Sequence, residues 1–328
     1  MVPIVADPSK EISHMTRPSL TTVTRPQGNN RALLAGDVTL PDFDLAFQDM
    51  PVLVKGFRRM VRDLEFDICE MALTTYLTAR AHGVKFTALP VFLVRDFHHG
   101  NMVWNTGLGL TRPKDLEGRR VGVNRGYTVT TGVWARSILQ DEYDVDLSRV
   151  TWTPSGDEHV ASFVNPSNVV NLAAEEVMED AVQSGALAGV VGTRIDRSGV
   201  APIVDDGFAA GVAALKGRGL YPINHLVVVR DTTLAAYPGL AGQLFDAFSK
   251  SKRGYVAELK AGRISDLTAA DRVHLAALDV MDDPLPYGVA PNEKVLSMLM
   301  DHAVTQGIIP ERPPLESLFA ADVLGRVG

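Results

Sequence analysis

Histidine, arginine and threonine stand at the turns of this chain in positions suited to moving a proton and holding an anion. An imidazole changes charge near neutral pH and can act as acid or base. A guanidinium grips a carboxylate through two parallel hydrogen bonds. His225 directly precedes the unbroken apolar run Leu226-Val-Val-Val229, which reads as a buried strand. His98 and His99 are neighbours, and in an extended segment their side chains point to opposite faces, so only one of them can enter a shared cleft. The segment Thr111 to Val123 reads as a capped turn leading into a strand. After it the loop Asn124 to Tyr127 runs into a helix carrying Val133, Trp134, Ile138 and Leu139. Thr128 and Thr130 stand where that helix begins, so its unpaired N–H groups face whatever fills the loop, an arrangement that attracts anions. Arg125 lies in the same loop, and Tyr127 offers it a ring or a hydroxyl. Thr74, Thr75 and Arg194 follow two other apolar strands, and Arg25 follows the first. Each residue also has a plainer use: threonines cap helices, loop arginines are solvated, tyrosines pack, and a histidine beside a strand makes a structural hydrogen bond.

The elements that must position these groups repeat one plan. The first strand is expected at Ser19 to Thr24, followed by a loop Arg25 to Asn30 and a helix ending at Leu34. Phe57, Met60, Val61 and Leu64 recur at helical spacing, which predicts a helix over about residues 51 to 64. Phe66 to Leu73 reads as a short apolar strand running into a helix start at Thr74-Thr75-Tyr76. The same unit recurs as a helix around Glu175 to Ser184, a strand Gly185 to Val191, and the turn Gly192-Thr193-Arg194. Open α/β sheets bind ligands just past the carboxyl ends of their strands, so two such units imply two lobes facing one cleft. The crossings between lobes are expected at Val103 to Asn105 and Tyr221 to His225. From Asp231 the tail reads as mostly helical, with Asn292 as an N-cap and Gly307 as a C-terminal stop. The organisation expected is an N-terminal arm (1–18), a discontinuous first lobe (19–104 with 226–328) and a second lobe (105–225).

The whole chain sets limits on the class of function. Its 328 residues, 46% hydrophobic and 22% charged, suffice for a full core and about two domains. The net charge of −7 and the lack of any Lys/Arg-rich block argue against a nucleic-acid partner. No stretch approaches the roughly 20 apolar residues of a membrane span, and the N-terminal segment has no apolar run of the kind exported precursors carry. The expected location is therefore cytoplasmic. One cysteine, Cys69, rules out an intramolecular disulfide and any Cys-based zinc cluster; it reads as a small core residue. The eight histidines are scattered, with no helical pair beside an acid at metal-ligating spacing, so no metal is expected. The acidic group Glu175, Glu176, Glu179 and Asp180 reads as a solvated helix face. No Gly-rich nucleotide loop stands in a strand-to-helix context.

Several stretches resemble the 4,5-dihydroxyphthalate decarboxylase family, a branch of the type II periplasmic-binding-protein fold. They include Phe66-Asp-Ile-Cys-Glu-Met-Ala-Leu-Thr-Thr-Tyr76, Phe97-His-His-Gly-Asn-Met-Val-Trp-Asn105, Arg119-Arg-Val-Gly-Val123, Tyr221-Pro-Ile-Asn-His-Leu-Val-Val-Val-Arg230 and Asp283-Pro-Leu-Pro-Tyr-Gly288. The resemblance covers about residues 19 to 320. It implies an α/β, two-lobed type II periplasmic-binding-protein-like fold, each lobe a mixed sheet flanked by helices, with a central ligand cleft. It also implies a cofactor-independent decarboxylase of a hydroxylated aromatic acid. Such a reaction needs a base near the phenol, an acid near the ring carbon that loses its carboxylate, and cations for the carboxylates. The resemblance selects His99, which aligns with the family's histidine, so His99 and His225 are the expected catalytic pair. Arg25, Thr74, Thr75, Arg125, Tyr127, Thr130 and Arg194 are the expected substrate contacts. The chain departs from the family's Pro-Glu-Tyr-Gln turn, having Asn124-Arg-Gly-Tyr-Thr128 in its place, and it carries His98 where the family has a basic residue. Two other functions fit the same scaffold: a binding protein for an organic acid serving a transporter or sensor, and another cytoplasmic enzyme. The expected partner is a small aromatic carboxylate, with a homodimer suggested by the N-terminal arm and the apolar tail helices.

Overall fold

The computed structural model describes residues 17–328, so the expected N-terminal arm lies outside the described residues except for Arg17 and Pro18. The first part of the chain forms β1 (Ser19–Val23), α1 (Arg31–Leu34), β2 (Asp44–Phe47), α2 (Leu53–Asp63), β3 (Ile68–Ala72), α3 (Leu73–Ala81) and β4 (Phe86–Arg95). Then follow β5 (Met102–Asn105), β6 (Arg120–Val123), α4 (Thr130–Tyr143), β7 (Thr151–Pro154), α5 (Met178–Ser184), β8 (Gly189–Val191), β9 (Val200–Pro202) and α6 (Gly207–Arg218). The chain ends with β10 (Ile223–Arg230), α7 (Asp231–Ala236), α8 (Leu240–Lys260), α9 (Ala269–Leu278) and α10 (Glu293–Thr305).

Local sequence explains most of these elements. Every residue of β3 is buried, as a strand covered on both faces requires, and the β-branched run Val227 to Val229 makes β10 its partner. Helix α2 buries Phe57, Met60 and Val61 on one stripe and turns its arginines away; it stops at Leu64, whose φ of 48° is left-handed. The predicted strand from Gly185 starts later, at Gly189, because Gly185 with φ 85° is the C-cap of α5. Asn292 does stand at the N-terminus of α10, but its side chain donates backwards to the carbonyls of Pro286 and Gly288 instead of capping the helix. Gly307, with φ 67°, follows the end of α10 as expected.

The strands form two mixed five-stranded sheets flanked by helices. One has the order β2-β1-β3-β10-β4 and the other β7-β6-β8-β5-β9. In the first, β1 runs parallel to β2 and β3, while β10 runs antiparallel to both β3 and β4. The register pairs His225 with Ala72, so the start of β10 lies beside the end of β3. In the second sheet β6 runs parallel to β7 and β8, and β5 is antiparallel to β8 and β9. The loops after β1, β3, β6 and β7 therefore meet in the gap between the two sheets. Across that gap the backbone N–H of Thr74, in α3, donates to Thr130 Oγ1, in α4, at 3.1 Å.

The tail ties the two halves together. Gln306 donates to the carbonyl of Val133 and accepts from Arg136 Nε at 2.7 Å, and Trp134 donates its indole N–H to the carbonyl of Ile223. The chain passes from the first sheet to the second between β4 and β5, ahead of the expected Val103 to Asn105, which lie within β5; at this crossing Gly207 lies against Gly100 so closely that a Cβ on residue 207 would stand 2.3 Å from the Gly100 backbone. No helix among the described residues is long and apolar enough to cross a membrane. Because backbone cannot retreat as a flexible side chain can, Gly207→Ala is expected to lower unfolding free energy by about 1–3 kcal/mol, the usual range for an overpacked core. Chemical denaturation checks this, and an unchanged midpoint and slope would contradict the close approach.

Candidate active site

The gap between the sheets is organised around a carboxylate. Glu70 lies in the middle of β3 and is 1% exposed. Its Oε1 stands 2.6 Å from His225 Nδ1, and its Oε2 accepts from the Thr24 hydroxyl at 2.8 Å, the Arg25 backbone N–H at 3.1 Å and the Gln27 amide at 3.3 Å. The Arg25 guanidinium stands 3.7 Å away. Burial alone would push the Glu70 carboxyl up, but His225, Arg25 and the Thr24 hydroxyl outweigh it and the net direction is down. An ionised carboxylate only accepts hydrogen bonds, so Nδ1 of His225 carries the proton and Nε2 is the nitrogen offered to a ligand.

A second imidazole shares this neighbourhood, and it is not the one the sequence suggested. His159 and His225 both pack edge-on against the ring of Phe57, with centroid distances of 6.0 and 5.3 Å. Thr75 Oγ1 lies 2.8 Å from His159 Nδ1. Burial, followed by Arg58, Arg125, Arg62 and His225, pushes His159 down from 6.5 to about 4, so its ring is neutral at pH 7. Arg58 and Arg62 are one turn apart on α2 and share a face. Arg58 donates to the carbonyl of Asp157, and Arg62 to those of Glu158 and His159, so a helix of one sheet grips a loop of the other.

The turn just before α4 holds an anion supplied by the protein itself. The Glu158 carboxylate accepts from the backbone N–H groups of Tyr127 and Thr128 and from the Thr128 hydroxyl. Gly126 makes room for it, since a Cβ there would stand 2.8 Å from a Glu158 oxygen. Burial raises the Glu158 carboxyl even against those donors and the charge of Arg136. Arg125 holds the turn with a left-handed φ of 68°, and its carbonyl accepts from Ser155 and Gly156.

The expected residues therefore divide. His225 and Arg25 meet around the Glu70 carboxylate, Thr75 is bonded to the His159 ring, and Arg125 is exposed, its charge acting on His159. Thr74 and Thr130 are buried in the contact between α3 and α4, bonded to each other at 2.8 Å. Tyr127 packs under the Arg136 guanidinium at 4.0 Å and donates its hydroxyl to the Gln306 carbonyl, which commits its only side-chain proton. Arg194 is exposed and lies over Gly100, beside the crossing. The expectation that His99 joins His225 needs correcting. The segment carrying both histidines is a turn, so strand alternation does not apply and both rings are buried. His98 Nε2 lies 2.8 Å from Asn224 Oδ1, and His99 Nε2 lies 2.8 Å from Glu142, which also pairs with Arg218. Glu142 is at the far end of α4 from Thr130, most of a helix length from the Thr74 contact. Glu70 had a legible signal, a lone acid inside an apolar strand. His159 and Glu158, in a polar loop, had none. Among the described residues no group of three or more His, Cys, Asp or Glu comes together to hold a metal.

A histidine kept neutral by the fold makes stability depend on pH. The unfolded chain takes up this proton near 6.5 while the folded state resists until about 4. The stability it confers is present above 6.5 and is lost as pH falls from there toward 4. Urea unfolding at pH 7.5 and pH 5 is expected to show a smaller acid-side loss for His159→Gln than for the native protein. Equal losses in the two proteins would contradict the burial of this ring.

No protein-family model matches the chain. It is 30% identical over 308 residues to a 4,5-dihydroxyphthalate decarboxylase of Comamonas testosteroni, covering 88% of this chain and 92% of that one. A 4,5-dihydroxyphthalate decarboxylase of Pseudomonas putida is 32% identical over 164 residues, 49% of this chain and 61% of the relative. Among solved structures, the periplasmic aliphatic sulphonate binding protein SsuA from Escherichia coli superposes with a TM-score of 0.51 at 10% identity, covering 95% of this chain and all of that one. That likeness identifies the two-lobed binding-protein fold, and the extent of the sequence match carries the rest: the chain belongs to the 4,5-dihydroxyphthalate decarboxylase family of carboxy-lyases.

Proposed function

We propose that this enzyme removes one carboxylate from a hydroxylated aromatic dicarboxylate of the 4,5-dihydroxyphthalate type, using His225 and His159 for proton transfer. The observation that carries the reading is the contrast between two neighbouring imidazoles. One has a buried carboxylate behind it, and the other is surrounded by arginines. Environments that differ in this way divide acid from base. Arg25, Arg58, Arg62, Arg125 and Arg136 outnumber Glu70 and Glu158, so positive charge is in excess. A substrate with two carboxylates supplies the missing negative charge.

In this mechanism neutral His159 takes the proton of the hydroxyl para to the departing carboxylate, and the phenolate electrons move into the ring. His225, held in place by Glu70, gives a proton to the ring carbon that bears the carboxylate. The carbon–carbon bond then breaks, CO2 leaves, and the bonding pair restores the aromatic ring. The phenolate finally recovers a proton, so one carboxylate is exchanged for one hydrogen and nothing is oxidised or reduced. Arg25 and Arg125 hold the carboxylates, while Arg194 at the crossing is suited to steering the anion inward.

The test is to supply 4,5-dihydroxyphthalate and follow CO2 release and formation of 3,4-dihydroxybenzoate. His225→Gln and His159→Gln are each expected to lower kcat by about 10²–10⁴, the usual range for a lost acid or base. Arg125→Ala is expected to act mainly on KM, raising it about tenfold, as loss of uniform binding does. Binding of the dicarboxylate without turnover by the native protein would favour a solute-binding role and overturn the proposal.

A further inference from the structure

His98, which the proposed reaction leaves idle, stands where the two connections between the sheets meet. It lies in the turn between β4 and β5, in which the Asn101 backbone N–H donates to the His98 carbonyl. Its ring is fully buried, with Nε2 2.8 Å from Asn224 Oδ1 and Nδ1 3.1 Å from the side-chain amide nitrogen of Asn101. Both contacts suit one neutral tautomer: Nε2–H donates to the Asn224 oxygen, and the Nδ1 lone pair accepts from the Asn101 amide. A proton on Nδ1 would face the hydrogens of that amide. Burial pushes the ring down from its ordinary range; the Asp96 charge and the Asn224 bond oppose this and His99 adds to it, so the uncharged form prevails at pH 7.

Asn224 is not an ordinary strand residue. Beside β4, Ile223 pairs with Arg95 but His225 pairs with Val94, so Asn224 is an extra residue near the head of β10, the first of several register shifts along this pair. Such a bulge bends its strand and re-aims the neighbouring side chain, and a slip of one residue would carry that side chain to the other face of the sheet. On the β3 side the pairing is regular from His225 onward. His225 faces Ala72 and Val227 faces Glu70, so the imidazole and the carboxylate share a face and meet on the diagonal. The backbone leading into the bulge is held as well, because Arg95 donates to the Tyr221 carbonyl at 2.8 Å and Trp134 to that of Ile223 at 3.0 Å. We propose that His98 is a positioning residue for His225: by holding the Asn224 side chain it fixes the bulge, and the bulge aims the imidazole at Glu70 and the cleft. What this does for catalysis rests on the role proposed for His225, whereas the aiming itself does not.

The test joins a spectroscopic signature to kinetics. In the intact protein the Nδ1 proton of His225, held between imidazole and carboxylate, is expected as a downfield proton NMR resonance that His225→Gln removes. His98→Leu and Asn224→Ala each take away the bond that fixes the bulge, so each should shift or lose that resonance. Each should also lower kcat on 4,5-dihydroxyphthalate about tenfold or more, as small misplacements of a reacting group do, with KM within about twofold. His98→Gln keeps an N–H where Nε2 stands, and it should retain the resonance and keep kcat within about threefold of native. If His98→Leu does not fold, Asn224→Ala, the smaller change, decides. Variants that lose stability to urea yet keep both resonance and kcat, a His98→Gln protein as impaired as His98→Leu, or a native protein without the resonance would each overturn the inference. Should the native protein not turn the substrate over, the proposed reaction fails, and the resonance alone still decides whether His98 aims His225.

Discussion

A carboxylate buried in the middle of a sheet governs this cleft. Glu70 has no access to water, and a buried charge left without partners costs several kcal/mol. Its partners come from three places in the chain: the end of β1 with Thr24 and Arg25, the following loop with Gln27, and the start of β10 with His225. The sheet order places β3 between β1 and β10, so its two neighbours can both reach the acid. Satisfying one carboxylate therefore fixes the imidazole, the guanidinium and the loop relative to one another before any ligand arrives. That is the pre-organisation that electrostatic catalysis draws on.

The second sheet answers with its own carboxylate. Glu158 fills the turn before α4, and the loop that carries it also carries His159. Arg58 and Arg62 reach across from α2 to the carbonyls of the same loop, so His159 is held by groups from both halves of the molecule. Phe57, on the same helix, lies against both imidazoles. With each carboxylate already committed to a protein partner, the uncommitted charge along the gap is guanidinium.

Much of this was legible in the sequence wherever one local rule decided the outcome. The apolar stripe of Phe57, Met60 and Val61 announced α2, and the unbroken run before Arg230 announced β10. The paired threonines after β3 marked the start of a helix facing the gap. His225 drew notice because it stands near the head of a buried strand, and its register puts it beside the end of β3. Strand alternation allowed only one of His98 and His99 into the cleft, and the resemblance chose His99; the segment folds as a turn, where both neighbours are buried and each finds its own partner. An anion was expected at the loop before α4. Nothing local revealed that Glu158, about thirty residues away along the chain, would occupy it. His159 was hidden for the same reason, since a loop residue acquires its role from tertiary placement alone.

The central claim is that Glu70 and His225 act as one unit, and a double-mutant cycle on kcat/KM tests it most directly. If they form one proton-transfer device, Glu70→Gln and His225→Gln will each lower the rate, and the double variant will be no slower than the slower single variant within about threefold, the non-additivity expected of coupled groups. Losses that multiply in the double variant would mean that the two residues act independently, and the account of the cleft built on their pairing would be contradicted.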